Sequence, residues 1–164
     1  MNGRFITFEG PDGAGKTTQI NRMTSWLSQK GIHCVKTREP GGTIISDQIR
    51  QLLLDPAYRE MAEEAEILLY AASRAQLVRE VIRPALAAGQ TVLCDRYVDA
   101  SLAYQGFGLG YPLDSVRSIN RFATGDLVPH RTYLLDISVE IGLERVRDRR
   151  GGPDRIEQKN DDYH

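Results

Sequence analysis

The sequence predicts an α/β fold of three layers, α/β/α, in which a parallel sheet carries helices on both faces. Short runs rich in β-branched and aromatic residues alternate with longer stretches whose apolar residues recur every three or four positions. A glycine-rich loop lies at the first strand-to-helix junction, between Glu9 and Lys16. The composition, 41% hydrophobic and 26% charged over 164 residues, suits a single domain spanning 1–164 with one sizeable core. Apolar strands joined through helices pair in parallel and are covered on both sides.

The elements follow in order. Arg4 to Glu9 reads as the first strand. A helix follows with Ile20, Met23 and Leu27 on one stripe and Gly31 placed to end it. Ile32 to Thr37 is a second strand. Ser46 is expected to cap a short helix carrying Ile49, Leu52 and Leu53, stopped by Asp55-Pro56. A long helical stretch runs from Met61 towards Ala88 with Ala65, Leu68, Leu69, Ala72 and Leu77 inward, and Pro84 is expected to interrupt it and start a new turn. Thr91 to Asp95 is the third strand. Asp114 is expected to cap a helix carrying Val116, Ile119 and Phe122. Thr132 to Asp136 is the fourth strand, and Ser138 caps the last helix, with Val139, Leu143 and Val146 on one side.

Several classes of function are excluded. With 21 basic and 22 acidic residues the net charge is −1, which provides no global field for nucleic acid or an anionic membrane. No apolar run approaches the ~20 residues of a membrane helix, and no signal-peptide pattern follows Met1. Cys34 and Cys94 lie inside strand-like runs and read as buried thiols, in keeping with a cytoplasmic protein.

In a parallel sheet, ligands sit at the carboxyl ends of the strands, and the unusual residues fall there. Gly10-Pro11-Asp12-Gly13-Ala14-Gly15-Lys16-Thr17 matches G-x-x-x-x-G-K-[ST] between a strand and a helix, the context that makes this pattern a phosphate-binding loop. Its glycines let backbone N–H groups, including those towards Thr18, converge on phosphate oxygens, and the helix N-terminus adds its positive end. Lys16 is expected at the β- and γ-phosphates and Thr17 at Mg²⁺. The ligand is a nucleoside triphosphate. A GTPase, an ATPase, a nucleotide kinase and a silent binding module all share such a loop. Asp12 is electrostatically awkward among phosphates and is expected to turn away from them towards a hydroxyl.

Further candidates gather on the acceptor side. Arg38, before the Pro40-Gly41-Gly42 turn, is a planar anion donor on an open backbone. Asp95-Arg96 ends the third strand, with the carboxylate placed near Mg²⁺. Ser101, Tyr104 and Gln105 follow it. Tyr70 and Arg74 are helix neighbours, suited to stacking on a base and donating to its carbonyl.

Together with Asp154-Arg155-Ile156-Glu157, these segments resemble the thymidylate kinases in order and spacing over essentially the whole chain. The resemblance implies a P-loop kinase fold and transfer of the γ-phosphoryl of ATP to dTMP, in the supply of dTTP for DNA synthesis, with Mg²⁺ as cofactor. It implies that Asp12 meets the 3′-hydroxyl and that Arg38 and Arg96 hold the acceptor phosphate. Asp95 would orient Mg²⁺ and its waters. Arg74 and Gln105 would read the thymine edge beside Ser101, with Pro40 against the methyl. Tyr70 stands where the family most often has Phe, and Tyr104 would close the 2′ side of the sugar. A homodimer is also implied.

A lid is expected at about 145–157. Position 14 is Ala, so the mobile catalytic arginine is expected in the lid, as in the bacterial type, with Arg149, Arg150 and Arg155 as candidates. Catalysis then rests on alignment and charge neutralisation by Lys16, Arg96 and the lid, with no catalytic histidine among His33, His130 and His164. Two alternatives are a kinase of another nucleoside monophosphate and a silent nucleotide-binding module. A switch GTPase lacks its Asn-Lys-x-Asp motif, for which Gln158-Lys159-Asn160-Asp161 is a poor match. Family members continue beyond the Asp-Arg-Ile-Glu segment with a fifth strand and a C-terminal helix. The chain is therefore expected to be incomplete at its C-terminal end, with the edge of the fourth strand uncovered.

Overall fold

In the computed structural model, which describes residues 3–147 and 154–159, four strands form one parallel sheet in the order β2-β3-β1-β4. They are β1 (Phe5–Glu9), β2 (Cys34–Arg38), β3 (Thr91–Asp95) and β4 (Arg131–Leu134). In register, Phe5 pairs with Val92 and Phe8 with Asp95, while Arg38 also meets Asp95. The carboxyl ends of three strands thus arrive together. β3 is buried on both faces, which is why it reads as an unbroken apolar run. Val92 and Cys94 point into one core with Phe5, Leu77, Val78 and Ile82. Leu93, one residue out of phase, joins Phe8, Ile20 and Leu27 in the other.

Helix α1 (Lys16–Gln29) covers one face of the sheet. On the other face runs a continuous helical path through α3 (Glu63–Leu77), a π-helical segment (Val78–Ile82) and α4 (Arg83–Ala87), with α2 (Ile44–Leu54) packed on α3. After β3 come α5 (Val98–Ser101), running into a π-helical segment (Leu102–Gly108), then α6 (Leu113–Thr124), β4 and α7 (Val139–Arg147).

Several expectations need correction. The cap of α2 is Thr43, whose hydroxyl accepts from the Ser46 N–H, while Ser46 itself is buried and donates to the Ser73 carbonyl. Pro84 starts a new turn, as expected, but does not break the helical path. It falls in the first turn of α4, just after the π turn in which Arg83 bonds back to Val78, so no intrahelical N–H is required of it. α6 starts at Leu113 without a side-chain cap, which places Asp114 inside its first turn. Phe122 is 92% exposed rather than inward. Ala65, Leu68 and Ala72 also face outward, and Leu52 is 42% exposed. The inward stripe of α3 is instead Glu66, Ile67, Ala71, Ser73, Arg74 and Leu77. β4 spans Arg131–Leu134, one residue earlier than expected at its start and two at its end, and all four of its residues are exposed at the sheet edge. His130 is structural: its Nδ1 accepts the Phe5 N–H at 3.0 Å.

Candidate active site

The glycine-rich loop leaves β1 and opens α1 through Gly15, whose φ of 89° is left-handed. Gly10 is required for a different reason. Its φ is 136°, and a Cβ there would lie 2.4 Å from the Leu135 carbonyl oxygen. Lys16 is buried and folds back on the loop, donating to the carbonyls of Gly10 (2.9 Å) and Pro11 (2.8 Å). Burial, with Arg96 nearby, pulls its pKa down to about 8. The Thr17 hydroxyl donates to Asp95 Oδ2 at 2.7 Å, which brings the two expected magnesium ligands together across α1 and β3.

Arg96 occupies a left-handed backbone position, φ 68°. Two hydrogen bonds hold that turn: the Arg96 N–H to the Phe8 carbonyl, and the Tyr97 N–H to Glu9 Oε1 at 2.7 Å. The result aims the guanidinium back over the loop. There Nη2 donates to Asp12 Oδ1 (3.0 Å) and to the Tyr104 hydroxyl (3.2 Å), and the group lies over the Tyr104 ring.

Burial pushes the Glu9 carboxyl up to about 7, partly offset by Arg96 and the Tyr97 N–H. The unfolded chain releases this proton near 4.5 and the folded chain only near 7. Between those values the folded state holds more protons, so rising pH costs stability. Glu9→Gln keeps an oxygen for Tyr97 and removes the titration. In urea unfolding at pH 5 and pH 7.5, the original chain is expected to lose more stability over the interval than the variant; equal losses would show that Glu9 ionises as it does in the unfolded chain.

A second arginine is fully enclosed. Arg74 is 2% exposed. Its Nε donates to Glu39 Oε2 (2.6 Å), Nη1 to Ser101 Oγ (2.8 Å) and to Asn120 Oδ1, and Nη2 to the Tyr97 carbonyl (3.0 Å). Glu39 is pushed up to about 7 by burial against the opposing pull of Arg74, and its Oε1 has no hydrogen-bond partner among the described residues.

Two cavities meet at these groups. One, of about 100 Å³, is lined by Asp12, Pro40, Tyr70 and Arg74 and on its far side by Arg96, Ser101, Tyr104 and Gln105. The other, of about 380 Å³, is lined by Gly13, Gly15, Lys16, Thr17 and Thr18, with Arg38 and Asp95 opposite. Asp12, Glu39, Arg50 and Arg96 line both. Gly10 and Pro11 lie instead on a neighbouring groove with Phe107 and Leu134, and Ala14 is buried. Arg38 is half exposed and pairs with Asp47 at 3.2 Å.

The lid candidates separate. Arg149 and Arg150 lie outside the described residues. Arg155 is not at the phosphate cavity: it is 6% exposed, paired with Glu66 at 2.8 Å, and donates to the Leu53 carbonyl. Arg145, on α7, donates to the Gly13 carbonyl at 3.0 Å and lines the phosphate cavity. Sequence reasoning missed Arg50, which bonds the Pro40 carbonyl at 3.0 Å and reaches both cavities. Its only sequence signal is its helical spacing from the Pro-Gly-Gly turn through Asp47. Asn120 was missed because nothing local distinguishes it.

A sequence model of the thymidylate kinase family matches residues 8–164. The chain is 60% identical over 163 residues to a thymidylate kinase of Exiguobacterium sibiricum, covering 99% of this chain and 76% of that protein. It is 54% identical to the thymidylate kinase of Deinococcus radiodurans over 99% of this chain and 78% of the relative. Among solved structures, the thymidylate kinase of Ehrlichia chaffeensis superposes with a TM-score of 0.78 at 36% identity, over 90% of this chain and 84% of that one. Phosphate loop, doubled cavity and these likenesses agree, and the chain belongs to the thymidylate kinase family.

Proposed function

We propose that this chain transfers the γ-phosphoryl group of ATP to dTMP, giving dTDP and ADP, with the ATP phosphates in the larger cavity and dTMP in the smaller. The observation that carries the reading is the meeting of the two cavities at Asp12 and Arg96. An acceptor held there would lie beside the phosphate loop. A phosphate monoester is already anionic near neutral pH, its second pKa being about 6 as for phosphorylated side chains. The reaction therefore needs alignment and charge neutralisation more than a base. Arg96, Arg38 and Arg50 hold the acceptor phosphate. Asp12 takes the 3′-hydroxyl while pairing with Arg96, Tyr70 stacks on the base, and Gln105 and Arg74 meet its edge. Ser101 acts through Arg74, and Tyr104 closes the sugar pocket.

Thr17 and Asp95 offer two oxygen donors 2.7 Å apart at the phosphate cavity, a set that suits a hard divalent cation. When bound there, Mg²⁺ supplies charge neutralisation on the phosphate oxygens. Arg145 serves the lid at its α7 end, with Arg149 and Arg150 as further members. Arg155 anchors the lid's far end through Glu66. The reaction is placed in the cytoplasm, in keeping with the free thiols Cys34 and Cys94. A homodimer is supported by the outward apolar residues Leu52, Leu68, Ala72 and Phe122 of neighbouring helices α2, α3 and α6.

The test is calorimetric titration of dTMP, dUMP and dGMP. The reading expects dTMP to bind at least tenfold more tightly than dGMP, about 1.4 kcal/mol. A folded chain without that preference would sink it.

A further inference from the structure

We infer that Asn120, which lines neither cavity, is the positioning residue that makes Arg74 selective for a base carrying a carbonyl at the edge it meets. This rests on the proposed function above.

A guanidinium carries five N–H hydrogens in a rigid fork. In Arg74, four are committed: to Glu39, Ser101, Asn120 and the Tyr97 carbonyl. One Nη2 hydrogen is left over, and Arg74 lines the acceptor cavity. A single fixed donor meets a carbonyl favourably and an amino group as donor against donor. A site of this kind rejects the wrong partner strongly, because its buried donor is left unpaired.

Asn120 holds the Nη1 side of the fork, and with it the direction of the Nη2 hydrogen that remains. It lies on α6 and is 3% exposed. Its Nδ2 donates to the Val116 carbonyl at 2.8 Å, one turn back along the same helix. That bond fixes the amide, so Oδ1 must face Arg74 Nη1. Without this acceptor a second guanidinium hydrogen is orphaned and the fork can turn towards other oxygens. Glu39 Oε1, which has no partner among the described residues, is close at hand. Selectivity at the base edge then falls although no cavity-lining side chain has changed.

The test compares binding of dUMP and dCMP by calorimetry in the unaltered chain, Asn120→Leu, Asn120→Val and Asn120→Asp. The two ligands differ along one base edge, where the carbonyl of uracil is an amino group in cytosine and the adjacent ring nitrogen changes from donor to acceptor. The unaltered chain is expected to favour dUMP at least tenfold. Both apolar variants are expected to reduce the ratio below threefold, and having two of them keeps the ratio readable if one does not fold. Asn120→Asp keeps an oxygen towards Arg74 and is expected to hold the ratio within threefold of the original even where its melting temperature drops. A structural role alone would weaken both ligands equally and leave the ratio unchanged in the apolar variants. That result overturns the inference, as does loss of the ratio in Asn120→Asp. Failure of the proposed function is read separately, as absence of a dTMP preference over dGMP in the unaltered chain.

Discussion

Replacing Arg96 by glycine is expected to slow phosphoryl transfer by about two to three orders of magnitude, the scale of losing a preorganised charge donor, while costing the fold no more than about 2 kcal/mol. The guanidinium sits between the two cavities, bonded to Asp12 and Tyr104. Two stability effects oppose each other. Losing a partly buried charged hydrogen bond costs about 1.5–3 kcal/mol, and glycine relieves a left-handed backbone worth about 1–2 kcal/mol. The net destabilisation is expected to be no more than about 2 kcal/mol. Arg96→Lys keeps the charge but neither the fork nor the backbone relief, and should recover only part of the rate. Single-turnover kinetics with ATP and dTMP and urea unfolding read the two quantities separately. An unchanged single-turnover rate in the glycine variant would remove Arg96 from the chemistry.

Arg74→Met is expected to be the most destabilising substitution at the site, by about 3–5 kcal/mol, because breaking a buried pair leaves an uncompensated charge. Glu39 would lose the one cation that hydrogen-bonds it among the described residues, and Ser101, Asn120 and the Tyr97 carbonyl would lose their donor together. The double replacement Arg74→Met with Glu39→Gln removes the stranded carboxylate and should recover part of the loss. Equilibrium unfolding of the two variants is the measurement. Equal stability of both would show that Glu39 takes up a proton once Arg74 is gone, and would remove the stranded charge as the cause of the loss.

Strand positions and the phosphate loop were legible because each is written locally, and the acceptor candidates Tyr70, Arg74, Ser101, Tyr104 and Gln105 do line one cavity. Four of five residues of β3 are fully buried apolar or small groups, and the loop spells its chemistry in eight consecutive positions. The inward face of α3 was not legible. Ala65, Leu68 and Ala72 make the better apolar stripe by spacing, yet the helix turns Glu66, Ser73 and Arg74 inward. Those polar groups are satisfied by Arg155, the Gly41 N–H and the Arg74 cluster, partners far away in the chain that periodicity cannot see. The cap of α2 failed for a smaller reason. Thr43 and Ser46 are both good capping residues three apart, and the winner is decided by Ser46 being needed against the Ser73 carbonyl. Pro84 misled because an i→i+5 turn ahead of it removes the clash that ordinarily ends a helix. Arg155 carries the same charge as its lid neighbours, and it is claimed by Glu66 on α3 and the Leu53 carbonyl of α2.

The hydrogen bonds of Lys16 to Gly10 and Pro11 tie its ammonium to two carbonyls of the turn that opens the phosphate loop. The side chain expected at the phosphates is therefore also a brace of the backbone that presents the loop's N–H groups. Truncating Lys16 is for this reason expected to take two things from the chain at once, a charge for the phosphates and a tie within the turn that receives them.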